Sequence, residues 1–228
     1  MSFFDKLLYK FFKIEAAYSQ TGEDKILKHL FDNIGKLGIS YLDIGANHPI
    51  MNNNTYLFYR RGGHGVCVEP NPELCKTIQK ARPRDKCLNI GVSANEDSVA
   101  EFYSMNPHTL STFSKEDAIA LDEIGKFKIK KVLKIPVKNI NNIIRENFIK
   151  PIDLVSIDVE GWNTEIIQSF DFAKNRPFCF CVETLTFSQF NNPEKLVEIF
   201  KIFQNNGYKQ YADTYLNTIF VNSELHQF

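Results

Sequence analysis

Short apolar runs alternate with amphipathic stretches between residues 41 and 184. The run Tyr41-Leu42-Asp43-Ile44-Gly45-Ala46-Asn47-His48-Pro49 starts apolar and ends small and polar, which predicts a buried strand feeding a tight turn. Residues 65–70, 87–93, 153–161 and 178–184 repeat that form and predict four more strands. Between them, residues 52–55 cap a helix over 56–61 that Gly62-Gly63 stops, a second helix spans 72–81, and 164–170 opens a third. The alternation predicts an α/β fold with a mostly parallel, doubly wound sheet and right-handed crossovers. An amphipathic helix over 193–205 and two runs at 210–215 and 218–222 add a C-terminal antiparallel hairpin.

Two regions depart from the rhythm. Residues 99–103 read as a strand, 104–112 as a long polar loop over a sheet end, which is the usual make-up of a lid. The lysines that follow, Lys126, Lys128, Lys130, Lys131, Lys134 and Lys138, suit either an anionic acceptor or the guarding of an edge strand, and the second is favoured. At the other end, Phe3, Phe4, Leu7, Leu8, Phe11 and Phe12 share one helical face with Lys6, Lys10 and Lys13 interleaved. Residues 1–17 thus form an amphipathic helix ahead of a single domain, 18–228. Its face suits a peripheral membrane contact or a partner, or packing on its own domain or on a second subunit as a homodimer; packing is favoured. Residues 18–24 start the next helix, with Ser19 or Thr21 as cap, Glu23 and Asp24 in the first turn, and Gly35 and Gly38 after its end. Tyr18 and Gln20 are left over from the capping and are expected at a cofactor.

Composition narrows the classes. The 27 basic and 27 acidic side chains cancel, so there is no electrostatic case for nucleic acid. Five cysteines is an odd number, and Cys67, Cys179 and Cys181 fall in predicted strands, as expected of reduced core residues in a cytoplasmic protein. No apolar stretch approaches the ~18 residues of a membrane span.

The candidate chemistry lies at the carboxyl ends of the strands, where open α/β sheets bind ligands. The first turn holds one glycine and an acid, Asp43, in place of the G-x-G-x-x-G that a pyrophosphate needs. It suits a cofactor without phosphates, and Gly45 lets the backbone approach it. Glu69, ending the second strand, is placed to accept both ribose hydroxyls of a nucleoside. Acid–glycine turn plus second-strand acid is the layout of S-adenosylmethionine (SAM) methyltransferases. Asp158 and Glu160 stand two apart and point to one side, Glu183 ends the neighbouring strand, and His48 leaves the first, so all four converge on one sheet edge. Methyl transfer to oxygen needs a group to take the acceptor proton. His48 is the first candidate, since imidazole titrates nearest neutrality; Asp158 competes with it. A hard-cation site for Mg2+ built from the acids is a third arrangement, and is not favoured.

The set Tyr18-Ser19-Gln20 with Gly22-Glu23-Asp24, Asp43-Ile44-Gly45-Ala46-Asn47, Glu69-Pro70-Asn71-Pro72 and Ile157-Asp158-Val159-Glu160-Gly161 resembles the FkbM family of SAM-dependent methyltransferases, from about residue 18 to 184. The resemblance implies a Rossmann-like class I fold and O-methylation, commonly of sugars, polysaccharides or natural products. It implies Asp43, Gly45 and Asn47 as the methionine-side floor, Glu69 as the ribose ligand, and Asp158 near the sulfonium. SAM is then expected along the ends of the first three strands, past Pro70, with its adenine near Val92 and Ser93. Glu160, Glu183 and the 108–112 loop are expected to position a sugar or glycan acceptor. The family's pattern commonly has an acid where this chain has Asn163, with Glu165 as a stand-in. The alternative is a non-catalytic binding or scaffold protein of the same fold; a nucleotide-dependent oxidoreductase is disfavoured by the missing glycines.

Overall fold

The computed structural model describes residues 15–159, 161–186 and 193–225. The amphipathic helix expected over 3–12, with its membrane or homodimer contact, lies outside the described residues, and so does Glu160. From the N-terminal side run α1 (Glu23–Asn33), β1 (Ser40–Ile44), α2 (Tyr56–Arg60), β2 (His64–Val68), α3 (Pro72–Ala81) and β3 (Lys86–Leu88). Next come β4 (Gly91–Ser93), β5 (Ser98–Asn106), a 3-10 turn (His108–Leu110), α4 (Lys115–Glu123), β6 (Lys128–Asn139) and α5 (Ile140–Asn147). The chain continues through β7 (Leu154–Ile157), α6 (Asn163–Ser169), β8 (Cys179–Glu183), α7 (Val197–Asn205), β9 (Tyr208–Asp213) and β10 (Asn217–Asn222).

The central sheet has the order β3-β2-β1-β7-β8-β10-β9. Its first five strands are parallel, and β10 runs antiparallel to both β8 and β9. This is the mixed α/β, Rossmann-like class I architecture with the expected terminal hairpin, although the last strand inserts between its partner and β8. Successive residues of one strand serve opposite faces. Leu42 and Val155 pack with Ile140, Ile143, Ile166, Ile167 and Phe203 of α5, α6 and α7. Tyr41 and Leu154 pack with Leu27, Leu30, Phe31 and Phe58 of α1 and α2. Burial on both faces is why these strands read as unbroken apolar runs.

Two elements differ from expectation, and a third follows it. The strand expected over 87–93 is two strands in two sheets: β3 ends at Leu88, and β4 joins a second sheet of order β4-β6-β5. The break sits at Asn89, whose amide donates to the carbonyls of Glu69 and Pro70 at 2.9 and 2.8 Å, tying the chain to the end of β2. The lysine run is β6, paired along its length with β5 but with β4 only over Val137–Asn139. Its stretch 128–136 is therefore a lysine-bearing edge among the described residues, as favoured. The helix expected from 193 begins at Val197, because the backbone of 194–196 is spent on Thr186 and Thr184 beyond the end of β8.

The acids of the first helical turn do more than complement its dipole. Asp24 accepts from the Tyr18 N–H at 2.7 Å and the Ser19 hydroxyl at 2.9 Å, which folds 18–21 back over α1. Glu23 accepts from Asn217 at 2.8 Å and Thr214 at 2.7 Å, joining α1 to the last hairpin. Burial pushes the Glu23 carboxyl up, but the hydrogen bonds from Thr21 and Thr214 outweigh it and hold the group at about 2. Among the described residues, no helix is long and apolar enough to cross a membrane.

Candidate active site

β1 and β7 are neighbours, although β2 and β3 lie on the far side of β1, so the strand order reverses between them. Crevices form at such a point, beyond the carboxyl ends of the strands. Here a cavity of about 460 Å³ opens, within the size range of small-molecule sites. Gly45, Asn47, Glu69, Pro70, Asp158 and Glu183 line it, together with Ile90, Val92, Phe102, the 108–113 segment and Trp162. Of the polar loop expected over 104–112, residues 104–106 end β5 and 108–112 are a wall of the cavity.

Gly45 turns the chain at φ +80°. A Cβ on it would lie 1.9 Å from the Asp158 carbonyl oxygen, so its bare Cα admits the end of β7 while the residue lines the cavity. Asn47 follows at φ +47°, and its N–H donates to Glu69 Oε2 at 2.8 Å. The Asn71 N–H donates to Glu69 Oε1 at 2.8 Å. Asn71 also caps α3 through its side chain, with Pro72 in the first turn, so one short segment positions both the helix and the acid. Burial pushes Glu69 up to about 7, against the two N–H groups that favour its charge. Each of its oxygens keeps a further lone pair. Asn47 Oδ1 is buried with no hydrogen-bond partner among the described residues. An acidic acceptor and an amide oxygen without a partner, on two residues of one cavity lining, fit a ligand that brings hydroxyl and ammonium donors, as SAM does. They do not fit a pyrophosphate.

Asp43 does not line the cavity. Its carboxylate lies beneath the turn, accepting from Thr55 Oγ1 at 2.6 Å and Asn53 Nδ2 at 3.3 Å, with the Arg82 guanidinium at 3.9 Å. Burial pushes its pKa up and the Arg82 charge opposes that. Asp43 is a support of the floor, where direct contact was expected. The sequence reading missed Arg82 and Asp85. Arg82 is fully buried, donates to Asp85 Oδ2 at 2.7 Å, Thr55 Oγ1 at 2.8 Å and Asn53 Oδ1 at 3.2 Å, and lies 5.5 Å from the Tyr41 and Tyr59 ring centres. Asp85 also accepts from the Tyr41 hydroxyl at 2.8 Å and the Gly65 N–H at 2.9 Å. Arg82-Pro83-Arg84-Asp85 follows a helix and resembles a solvated loop, so nothing local marks it.

The expected meeting of His48, Asp158 and Glu183 is only partly realised. Asp158 is hydrogen-bonded to Glu183; burial, reinforced by the Asp43 charge, pushes Asp158 up to about 6 while that bond acts in the other direction. Asn163, standing where an acid was expected, is buried and bridges the two strand ends. Its Oδ1 accepts from the Val159 N–H at 3.0 Å, and its Nδ2 donates to the Glu183 carbonyl and to Oε2, both at 3.2 Å. Glu165, the proposed stand-in, is exposed and off the cavity. His48 is off the cavity too. Its Nδ1 accepts from the Ile50 and Met51 N–H groups at 3.1 and 2.9 Å, so that nitrogen is spent on the turn.

Of the outlying expectations, Gln20, Pro70 and Val92 line the cavity. Tyr18 does not: it stands edge-on to Tyr56 at 4.9 Å, below Arg60. Ser93 is off the lining as well, its hydroxyl donating to the Asn95 carbonyl at 3.2 Å. Phe102, Phe113 and Trp162 were not anticipated; the aromatic right after Asp158-Val159-Glu160-Gly161 was the one available signal. Among the described residues, no group of three or more His, Cys, Asp or Glu is placed to hold a metal ion.

No curated protein matches the chain. Solved structures similar to it include a TehB-like SAM-dependent methyltransferase from Corynebacterium glutamicum, at 10% identity and TM-score 0.46, covering 95% of this chain and 93% of that one. An O-methyltransferase from Bacillus cereus in complex with SAH is similar at 13% identity and TM-score 0.46, covering 95% of each. The family match is independent of these distant likenesses: a methyltransferase FkbM domain spans residues 43–209, from the acid beneath the turn to the final hairpin. With well over half its length in that match, and with the turn, second-strand acid and β7 acid around one cavity, the chain belongs to the FkbM family of SAM-dependent methyltransferases.

Proposed function

We propose that this methyltransferase acts on a hydroxyl of a sugar or glycan. The observation that carries the reading is the Asp158–Glu183 pair, opening on the same cavity as Glu69 and Asn47. Bound SAM supplies a methyl group activated by its sulfonium charge. Glu69 would hold the ribose hydroxyls, Asn47 Oδ1 a further donor, and Pro70, Leu74, Ile90 and Val92 would pack about the nucleoside. Asp158 takes the proton that the acceptor hydroxyl loses. A carboxyl raised to about 6 is a better base near neutral pH than one at its ordinary value. Asn163 holds Glu183, and Glu183 holds Asp158, so the base is oriented by its neighbours; His48 is set aside because its Nδ1 is engaged. The 108–112 wall would contact the acceptor.

The test is transfer of labelled methyl from SAM to a panel of methyl glycosides, polysaccharide fragments and, for contrast, phenols. Transfer to a glycoside is expected, with Asp158→Asn lowering turnover roughly 10²–10⁴-fold at nearly unchanged SAH affinity. Transfer to phenols alone would discard the sugar assignment.

The ribose assignment has its own pH signature. Hydroxyl donors favour the ionised Glu69, whose free pKa is about 7. SAH binding at pH 6.5 should therefore release part of a proton, and affinity should rise from pH 6 to 8 and then level. Calorimetry in buffers of different ionisation enthalpy reads this directly. Glu69→Gln should remove the proton release and weaken binding by about 1.5–3 kcal/mol. No change in either quantity would move the ribose elsewhere.

A further inference from the structure

Part of the cavity wall is aromatic. Phe113 and Trp162 stack with ring centres 5.3 Å apart and planes 20° from parallel, and Phe102 backs Phe113 at 5.0 Å. All three line the cavity, and Phe113 and Trp162 are only half-buried. Phe113 is seated on Gly91, where a Cβ would come within 2.5 Å of its ring. Trp162 is held by its backbone at the head of α6, accepting the Ile166 N–H at 3.1 Å. It stands four residues after Asp158 and next to Asn163, the residue that bonds Glu183. Rigid aromatic surface left open inside a cavity loses free energy to water until a ligand covers it.

A pyranose ring is amphipathic: its axial C–H groups form an apolar face and its hydroxyls a polar rim. Aromatic surface beside hydrogen-bonded carboxylates matches both parts. We propose that the Phe113–Trp162 pair is the acceptor subsite, receiving the apolar face of a pyranose ring while Asp158 and Glu183 receive its hydroxyls. The assignment rests on the sugar reading above and adds where the ring sits. A planar adenine also stacks on aromatics, and Gly91 and Val92 bring Phe113 near the nucleoside side. Trp162, at the head of α6 and four residues after Asp158, is the member that separates the two ligands.

Trp162 is the chain's one tryptophan, so its emission reports on this subsite without a label. The protein saturated with SAH is titrated to about 100 mM with the methyl glycosides of glucose, galactose, mannose and rhamnose. A saturable change in emission is expected for at least one. Binding of that glycoside, followed by saturation-transfer NMR, should weaken roughly tenfold in Trp162→Ala and less in Trp162→Phe. SAH affinity by calorimetry should stay within about threefold in both variants, and Trp162→Phe serves if the alanine variant fails to fold. A tenfold loss of SAH affinity in either variant would make the pair an adenine platform and overturn the proposal. Glycoside binding that ignores both substitutions would overturn it too, while leaving the sugar reading in place. If no glycoside binds and catechol does, subsite and sugar reading fall together.

Discussion

Replacing Arg82 with Met lowers the unfolding free energy by about 3–5 kcal/mol, the range for removing one partner of a buried ion pair. The expectation follows from what Arg82 faces. It is fully buried, and its guanidinium is shared between Asp85, Thr55 and Asn53, with Asp43 just beyond at 3.9 Å. Removing it leaves two buried carboxylates without a counter-charge, and Thr55 without the donor that aligns its hydroxyl on Asp43. Arg82→Lys keeps the charge but loses the fork that reaches three partners at once, so it should recover only part of the loss. The deficit should also depend on pH. Asp43 already has a raised pKa, and without Arg82 it rises further. A raised carboxyl destabilises the fold increasingly as pH climbs from its unfolded value through its folded one. The Met variant should therefore lie closest to the wild type in acid and furthest from it at pH 8. Urea unfolding at pH 5 and pH 8 reads both effects, and a loss below about 1 kcal/mol at pH 8 would mean that water or rearranged neighbours replace Arg82.

Gly45→Ala should be nearly as damaging, and its effect should reach the site. A left-handed φ costs an alanine about 1–2 kcal/mol by itself. The added Cβ must also displace the Asp158 carbonyl, which it would meet at 1.9 Å. That oxygen is backbone, and the Asp158 N–H is bonded to the Ile44 carbonyl at 3.0 Å, so the strand ends can part only by breaking their ladder. Asp158 moves with them. We expect a loss of about 3 kcal/mol or more and at least a tenfold drop in SAH affinity. Gly62→Ala is the control: φ is +92° there, but a Cβ meets nothing within 4 Å. Its cost should be the backbone strain alone. Equal losses in the two variants would show that the approach of β1 to β7 carries no weight.

Both predictions concern groups beneath the cavity, and this is where sequence and structure part. The parallel strands were legible because burial on both faces leaves a local trace, an unbroken apolar run ending in small and polar residues. α3 was legible to the residue, since Asn71, Pro72 and the apolar spacing are all signals within one helix. Glu69, Asp158 and Glu183 were legible as acids ending such runs, which brings them to one edge whatever the details.

The rest was settled by contacts that span the chain. Asp43 and His48 stand in the right turn, yet the turn sends one carboxylate down to Thr55 and folds one imidazole onto its own backbone. Arg82 and Asp85 have no local mark, because a charge is buried or solvated according to what packs over it. The 87–93 run looks like one strand, and only the hold of Asn89 on the end of β2 divides it between two sheets. The sequence by itself determined the layered α/β fold and that Glu69, Asp158 and Glu183 end strands at one edge, through periodicity and strand ends. Which side chains face the ligand, which support the floor and which aromatics close the wall were decided by tertiary structure, because side-chain direction out of a turn and compensation of buried charge depend on residues far away in sequence.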